Sequence, residues 1–205
     1  MINENIEAII FDFGGVIIQL NYQATIDAFK NLGITNFDEM YSQAQQSNLF
    51  DDIETGKISS QRFINGILDF LPPNTSPNKV VEAWNAMILD VPKSNIEILQ
   101  ELSKKYRLFL LSNTNSLHID LAYRNWNKIA EQPIDKYFEK IYLSHEVEMR
   151  KPNKEIFELV CNENLLSRES TLFIDDSEQH IIGAQSMGLQ TIHHKSNELL
   201  HSLFS

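Results

Sequence analysis

Carboxylates, a lysine and a hydroxyl-rich turn stand in this chain where short hydrophobic runs end. Asp12 closes Ile9-Ile10-Phe11, Ser112-Asn113-Thr114-Asn115 closes Leu108-Phe109-Leu110-Leu111, Asp175-Asp176 closes Leu172-Phe173-Ile174, and Lys151 precedes Pro152. Two carboxylates brought close in a low-dielectric setting are driven towards protonation unless they share a cation. Oxygen donors of modest total charge suit Mg²⁺, which keeps waters and substrate phosphate oxygens in its shell. With a metal bound, Asp12 stays ionised and can act as a nucleophile. Ser112 and neighbouring amides at a helix start suit phosphate oxygens. Lys151 can neutralise charge on a transferring phosphoryl group. Gathered together, these residue types point to phosphoryl chemistry.

Taken singly, each has a plainer explanation. Asp12 could form a turn, Asp175-Asp176 ahead of Ser177 could start a helix, Lys151 could be a solvated side chain, and residues 112–114 a helix-start loop. Only a scaffold that brings them to one rim gives them a joint meaning.

The sequence predicts such a scaffold. Glu7 to Asp12 reads as a buried strand, after which Gly14 and Gly15 allow a tight turn or close approach to a ligand. Apolar positions at helical spacing then group around Ile26 to Leu32, Phe37 to Ala44, Phe63 to Leu71 and Val80 to Ile88. Gly33 reads as a helix stop, and Ser76-Pro77 as a helix start. That stretch predicts a four-helix bundle inserted over residues 19–90. From residue 91 helices and strands alternate. A capping box of Ser94 and Glu97 opens the first helix, and strands follow at Arg107 to Leu111, Lys140 to Leu143, Thr171 to Ile174 and Gln190 to His193. Helices are expected over Leu117 to Asn125, Lys154 to Glu163, and from Ser177 to Gly188. The fold class expected is α/β: a Rossmann-like three-layer core, residues 1–18 and 91–205, with a mostly parallel five-stranded sheet. Ligands of such sheets bind outside the carboxyl ends of the strands, which is where the polar residues fall.

Composition narrows the function classes. With 205 residues, 42% of them hydrophobic, the chain supports one core of ordinary size and a small subdomain. A net charge of −11 disfavours nucleic acid and anionic membranes as partners, since both require a basic footprint. The same charge opposes small anionic substrates unless a local cation or metal offsets it. Aliphatic or aromatic runs reach only four residues, far short of a membrane span. The N-terminus lacks the pattern of a secretory signal, and the single cysteine, Cys161, fits a reducing compartment. A cytoplasmic protein is expected, as monomer or homodimer.

The segments Ile10-Phe11-Asp12-Phe13-Gly14-Gly15-Val16, Leu111-Ser112-Asn113-Thr114-Asn115, Arg150-Lys151-Pro152 and Phe173-Ile174-Asp175-Asp176 resemble, in order and spacing, the four motifs of the haloacid dehalogenase-like hydrolases. The resemblance spans essentially the whole chain and includes a helical cap after the first motif. It implies a phosphatase acting on a small phosphorylated metabolite through an aspartyl-phosphate on Asp12. Mg²⁺ would be held by Asp12, the Gly14 carbonyl and Asp175, with Asp176 acting through water or orienting a ligand. Ser112, Asn113 through its backbone amide, and Lys151 would hold the phosphoryl oxygens.

One position departs from the commonest pattern of that family. Most phosphatases resembling this chain carry a second aspartate two residues after the nucleophile, as acid for the leaving oxygen and base for water; here Gly14 stands there. Losing a general acid without replacement costs roughly 10² to 10⁴ in rate. Three consequences are open: a good leaving group, as in the sugar 1-phosphates hydrolysed by relatives with Asp-x-Gly; another proton donor, with His118 and His145 as candidates; or a weakly active or inactive relative that binds a phosphorylated metabolite or protein partner. Dehalogenase activity is disfavoured, because such members resemble Asp-x-Tyr in the first motif. Specificity is expected from the cap, with Asn21, Tyr22 and the polar loop Asp52-Ile53-Glu54-Thr55-Gly56-Lys57 as candidates. Trp84 and Trp126 are expected to be packing residues.

Overall fold

The computed structural model describes residues 3–204, the side chains of 45 and 46 excepted. In chain order the elements are β1 (Ala8–Phe11), α1 (Tyr22–Asn31), α2 (Phe37–Gln46), α3 (Leu49–Glu54), α4 (Ser60–Leu68), α5 (Pro77–Asn85), α6 (Lys93–Leu102), β2 (Arg107–Ser112), α7 (Ser116–Ile129), β3 (Lys140–Leu143), α8 (Ser144–Val147), α9 (Lys154–Glu163), β4 (Thr171–Asp175), α10 (Glu178–Ser186) and β5 (Gln190–His193).

The five strands form one wholly parallel sheet in the order β3-β2-β1-β4-β5. Because β1 is central, its end is flanked by the ends of β2 and β4, with Phe11 opposite both Leu110 and Ile174. The Asp12 amide continues the ladder by donating to the Ile174 carbonyl at 2.8 Å. Side chains alternate between sheet faces. Ile9, Phe11, Leu110 and Ile174 pack with Trp126 and Leu99 on one side. Ile10, Phe109, Leu111 and Phe173 pack with Ile156, Phe157 and Ile181 of α9 and α10 on the other. Coverage of both faces explains why the strands read as continuous apolar runs rather than alternating ones.

Between β1 and α6 the chain makes a helical cap with its own apolar cluster, centred on Phe29, Phe63, Ile67, Val80 and Trp84. The cap contains five helices where periodicity predicts four. The extra one, α3, has six residues, too few for a repeat to show, and Asp51 and Asp52 lie in its first turn, where the helix dipole favours negative charge. It occupies part of the stretch expected as a polar loop. Ser76 caps α5 as expected, accepting from the Lys79 amide, with Pro77 at the helix start. The capping box at Ser94 does not form. Helix α6 begins two residues earlier than that box requires, after Pro92, and Glu97 pairs instead with Lys93 at 3.5 Å.

The two linkers between cap and core run side by side, Leu89 N donating to Gln19 O at 3.0 Å and Asn21 N to Met87 O at 2.8 Å. Asn197 fastens this hinge, its Oδ1 accepting from Leu20 N at 2.8 Å and its Nδ2 donating to Leu20 O at 2.9 Å. Among the described residues no helix is long and apolar enough to cross a membrane.

Candidate active site

At the carboxyl edge of the sheet, Lys151 is fully buried between two carboxylates. Its Nζ lies 2.8 Å from Asp12 Oδ1 and 2.6 Å from Asp175 Oδ2, above the Phe173 ring. The lysine arrives from the loop after α8. Asn113 fixes that loop with a reciprocal pair: its Oδ1 accepts from Lys151 N and its Nδ2 donates to Lys151 O, both at 2.9 Å. The Asn113 side chain therefore positions Lys151, a role that sequence reasoning did not assign to it. The turn after β2 is held in turn by Ser144, whose Oγ accepts from Thr114 N at 2.9 Å and donates to Thr114 O at 3.0 Å.

Electrostatics separates the two carboxylates. Burial pushes Asp12 up to about 8, Lys151 offsetting only part of that effect and Asp175 adding to it. Burial also acts upward on Asp175, but Lys151 and His180 outweigh it and hold that carboxyl well below the usual range. Lys151 itself is held above its ordinary value, because Asp12 and Asp175 overcome the cost of burial. One lysine is thus shared by two buried carboxylates, and the ionised state of Asp12 lacks a full counter-charge.

Of the residues singled out from sequence, Asp12, Lys151 and Asp175 meet directly. Ser112, Asn113, Gly14 and Asp176 line the same cavity of about 570 Å³ as Asp12. A Cβ at Gly15, whose φ is +75°, would fall 2.1 Å from Asp176 Oδ2, so the tight turn after Asp12 lets Asp176 approach the backbone there. His180 is the residue that sequence reasoning missed. Its Nδ1 lies 2.9 and 3.0 Å from the two Asp175 oxygens, and Asp12, Asp175 and His180 offer ligand atoms within 4.8 Å of one another. The signal was available: a histidine five residues after Asp175, in the first turn of the following helix, faces back towards the strand end.

The position expected to carry a general acid is filled by carbon. A Cβ at Gly14 would lie 2.7 Å from Leu20 Cδ1, so an aspartate there would require Leu20 to move. His118 does not replace the acid. Its Nδ1 faces Asn115 Nδ2 at 3.2 Å and its Nε2 faces the Trp84 carbonyl at 3.1 Å, which assigns the proton to Nε2. Burial lowers its pKa to about 4, keeping it neutral. His145 is not among the residues lining the cavity, and burial lowers its pKa as well.

The cap supplies the far wall. Tyr41, Phe50, Trp84 and His118 stack in a row at centroid separations of 4.8, 5.5 and 4.7 Å. Trp84 both packs in the cap and lines the cavity, whereas Trp126 is purely a core residue, its Nε1 donating to Gln132 O at 3.0 Å. Tyr22 lines the cavity as well. Asn21 does not, serving instead to cap α1 through the Ala24 amide. From the expected loop, Glu54 lines the cavity, at the end of α3.

The haloacid dehalogenase-like hydrolase family model matches residues 9–194 of the chain. A curated relative, the D-ribitol-5-phosphate phosphatase of Bacteroides thetaiotaomicron, is 29% identical over 186 residues, covering 91% of this chain and 90% of its own. A haloacid dehalogenase family enzyme of the same organism, solved in complex with magnesium and inorganic phosphate, is 34% identical, covers 98% of this chain and 100% of its own, and superposes with a TM-score of 0.90. The L-2-haloacid dehalogenase of Xanthobacter autotrophicus, at 16% identity over 91% of this chain and 76% of its own, shares the fold with a TM-score of 0.60.

Proposed function

Since the chain belongs to the haloacid dehalogenase-like hydrolases, we propose that it is a Mg²⁺-dependent phosphatase of small phosphomonoesters that works through Asp12. One observation carries this reading. Asp12 Oδ1 is occupied by the Lys151 ammonium at 2.8 Å and the Phe13 amide at 2.7 Å, so Oδ2 is the oxygen left for a substrate in the cavity.

The donor set fits a divalent cation. Burial above all, with Asp175 adding to it, raises Asp12 to about 8 despite Lys151, and a cation between the two carboxylates would offset both causes. Asp12, the Gly14 carbonyl and Asp175 would hold the ion, with Asp176 beside them, and His180 would orient Asp175 through its Nδ1–H. When bound, Mg²⁺ keeps Asp12 ionised and screens the charge of the incoming phosphate.

In the reading proposed, Asp12 Oδ2 attacks phosphorus in line, its electron pair forms the new P–O bond, and the leaving alkoxide departs with the former ester bond's pair. Lys151 and Ser112 receive charge that develops on the phosphoryl oxygens. Water then attacks the aspartyl-phosphate, releasing phosphate and restoring Asp12. With Leu20 packed against Gly14, no side chain at that position can give the leaving oxygen its proton. The alcohol released by a pentitol 5-phosphate phosphatase is a poor leaving group, so activity of that kind would make the proton source a rate-determining matter here.

Phosphate release from a panel of sugar and alditol phosphates, assayed with Mg²⁺ and with chelator, tests the reading. Turnover with metal and its loss with chelator are expected. Binding of a phosphorylated ligand without release from any panel member would favour the alternative of an inactive binding protein. The pKa of Asp12 sets a second expectation. Metal requires the ionised carboxylate, so the apparent affinity for Mg²⁺ rises with pH up to about 8. Calorimetric titration should show a gain of roughly 50-fold between pH 6 and pH 8. A pH-independent affinity would mean that Asp12 is not a ligand or that burial does not hold it protonated at pH 6.

A further inference from the structure

The cap side of the cavity has a charge pattern that the phosphoryl chemistry does not use. Among the described residues lining the cavity, Arg150 is the only arginine or lysine. It is not available to a substrate anion, because it pairs with Asp51 and, at 3.0 Å, with Glu54 Oε2. These contacts join core to cap: Arg150 directly precedes Lys151, and both acids belong to α3. Asp51 faces outward, its side chain 63% exposed, whereas Glu54 is 26% exposed and lines the cavity. Arg150 meets Glu54 only as an ion pair, and the buried Oε2 of Glu54 accepts no hydrogen bond from any described residue. Burial raises its pKa, with Arg150 working in the opposite sense.

The aromatic wall complements this acid. Phe50 stacks with both Tyr41 and Trp84, and Trp84 also stacks with His118, so ring faces are taken up by other rings. His118 is neutral and adds no charge. From the cap the cavity is therefore offered two carboxylates, Glu54 and Asp38, and no free lysine or arginine among the described residues.

We propose that Glu54 determines specificity: its carboxylate accepts hydrogen bonds from hydroxyls on the leaving-group half of the substrate and excludes leaving groups that bear a second negative charge. The proposal rests on the phosphatase reading above and assigns its substrates to phosphomonoesters of uncharged polyhydroxy alcohols.

Steady-state kinetics with a pentitol 5-phosphate and the phosphorylated pentonic acid of the same length tests it. Wild-type kcat/KM should favour the pentitol ester by about 30-fold or more, as expected for a like-charge contact. Glu54→Gln should bring the ratio within about threefold, chiefly through KM for the acid, while Glu54→Asp, which keeps the charge, should retain the rejection. Asp51→Asn cuts the other arm of the Arg150 pair from outside the cavity and should preserve the wild-type ratio. An unchanged ratio in Glu54→Gln overturns the proposal. So does an equal collapse in Asp51→Asn, since cap attachment alone would then explain selectivity. Release from para-nitrophenyl phosphate by the wild type, and its loss in Asp12→Asn, tests the phosphatase reading separately. Release combined with an unaltered ratio in Glu54→Gln would sink only the specificity assignment, whereas no release from any ester would sink both.

Discussion

Replacing Asp12 by asparagine is expected to lower kcat by about 10⁴-fold or more while leaving the metal-free protein at least as stable as the wild type. The amide is nearly isosteric with a protonated carboxyl but cannot displace an alkoxide from phosphorus. Stability follows from the direction of the pKa shift. In the fold Asp12 titrates near 8 instead of near 3.8, so between those values the folded state binds a proton that the unfolded chain has released. Wild-type stability without metal therefore falls as pH rises through this window, and the loss is complete above the folded pKa. Asparagine has no such term. The melting-temperature gap between Asp12→Asn and wild type, measured in chelator, should widen in favour of the variant from pH 5 to pH 8. Adding Mg²⁺ should close it by stabilising only the wild type. Undiminished turnover in the variant would remove Asp12 as nucleophile; a gap independent of pH would remove the electrostatic account of its environment.

The rim that holds Asp12 was legible because strand ends are written in hydrophobicity. Ile9-Ile10-Phe11, Leu108 to Leu111 and Leu172-Phe173-Ile174 are buried on both faces, so the first polar residue after each marks the edge where ligands of a parallel sheet collect. The expected Lys140 to Leu143 and Gln190 to His193 strands coincide with β3 and β5. Other parts of the site depend on tertiary contacts that leave no trace in spacing. The reciprocal bond between Asn113 and the Lys151 backbone joins residues 38 positions apart. The Leu20 side chain that fills the place beside Gly14 comes from the hinge, and no periodicity in that segment announces where it points. His118 illustrates the opposite error. Its position after the second motif suggests a proton donor, but Asn115 and the Trp84 carbonyl use both ring nitrogens, and burial removes the charge a donor would need. Helix α3 escaped notice because six residues make fewer than two turns, yet it delivers Glu54 to the cavity.

Replacing Lys151 by methionine should do more damage to the fold than replacing Asp12, and less, though still severe, damage to the reaction. The ammonium is fully buried and bonded to both carboxylates, at 2.8 and 2.6 Å. Removing one partner of a buried ionic cluster leaves uncompensated charge, a loss of about 3–5 kcal/mol, whereas removing both partners is far milder. Methionine fills much of the same volume against Phe173, so cavity formation adds little. Asp12 already holds a proton at neutral pH in the metal-free protein, so loss of the lysine strands chiefly the ionised Asp175. Chemical denaturation in chelator should register the full loss, and Mg²⁺ should recover part of it by standing between the same oxygens. Phosphate release should fall by about 10² to 10³ even at saturating metal, because charge developing on the phosphoryl oxygens loses its nearest fixed cation. The double variant Asp175→Asn with Lys151→Met separates this account from a simple packing defect, because Asp175 is the carboxylate that the lysine holds ionised. If charge is the cause, the second substitution restores stability towards that of Asp175→Asn alone, giving a coupling of several kcal/mol. Additive losses would instead mean that Lys151 contributes through the shape of its aliphatic stem, and the shared-cation description of the site would fail with it.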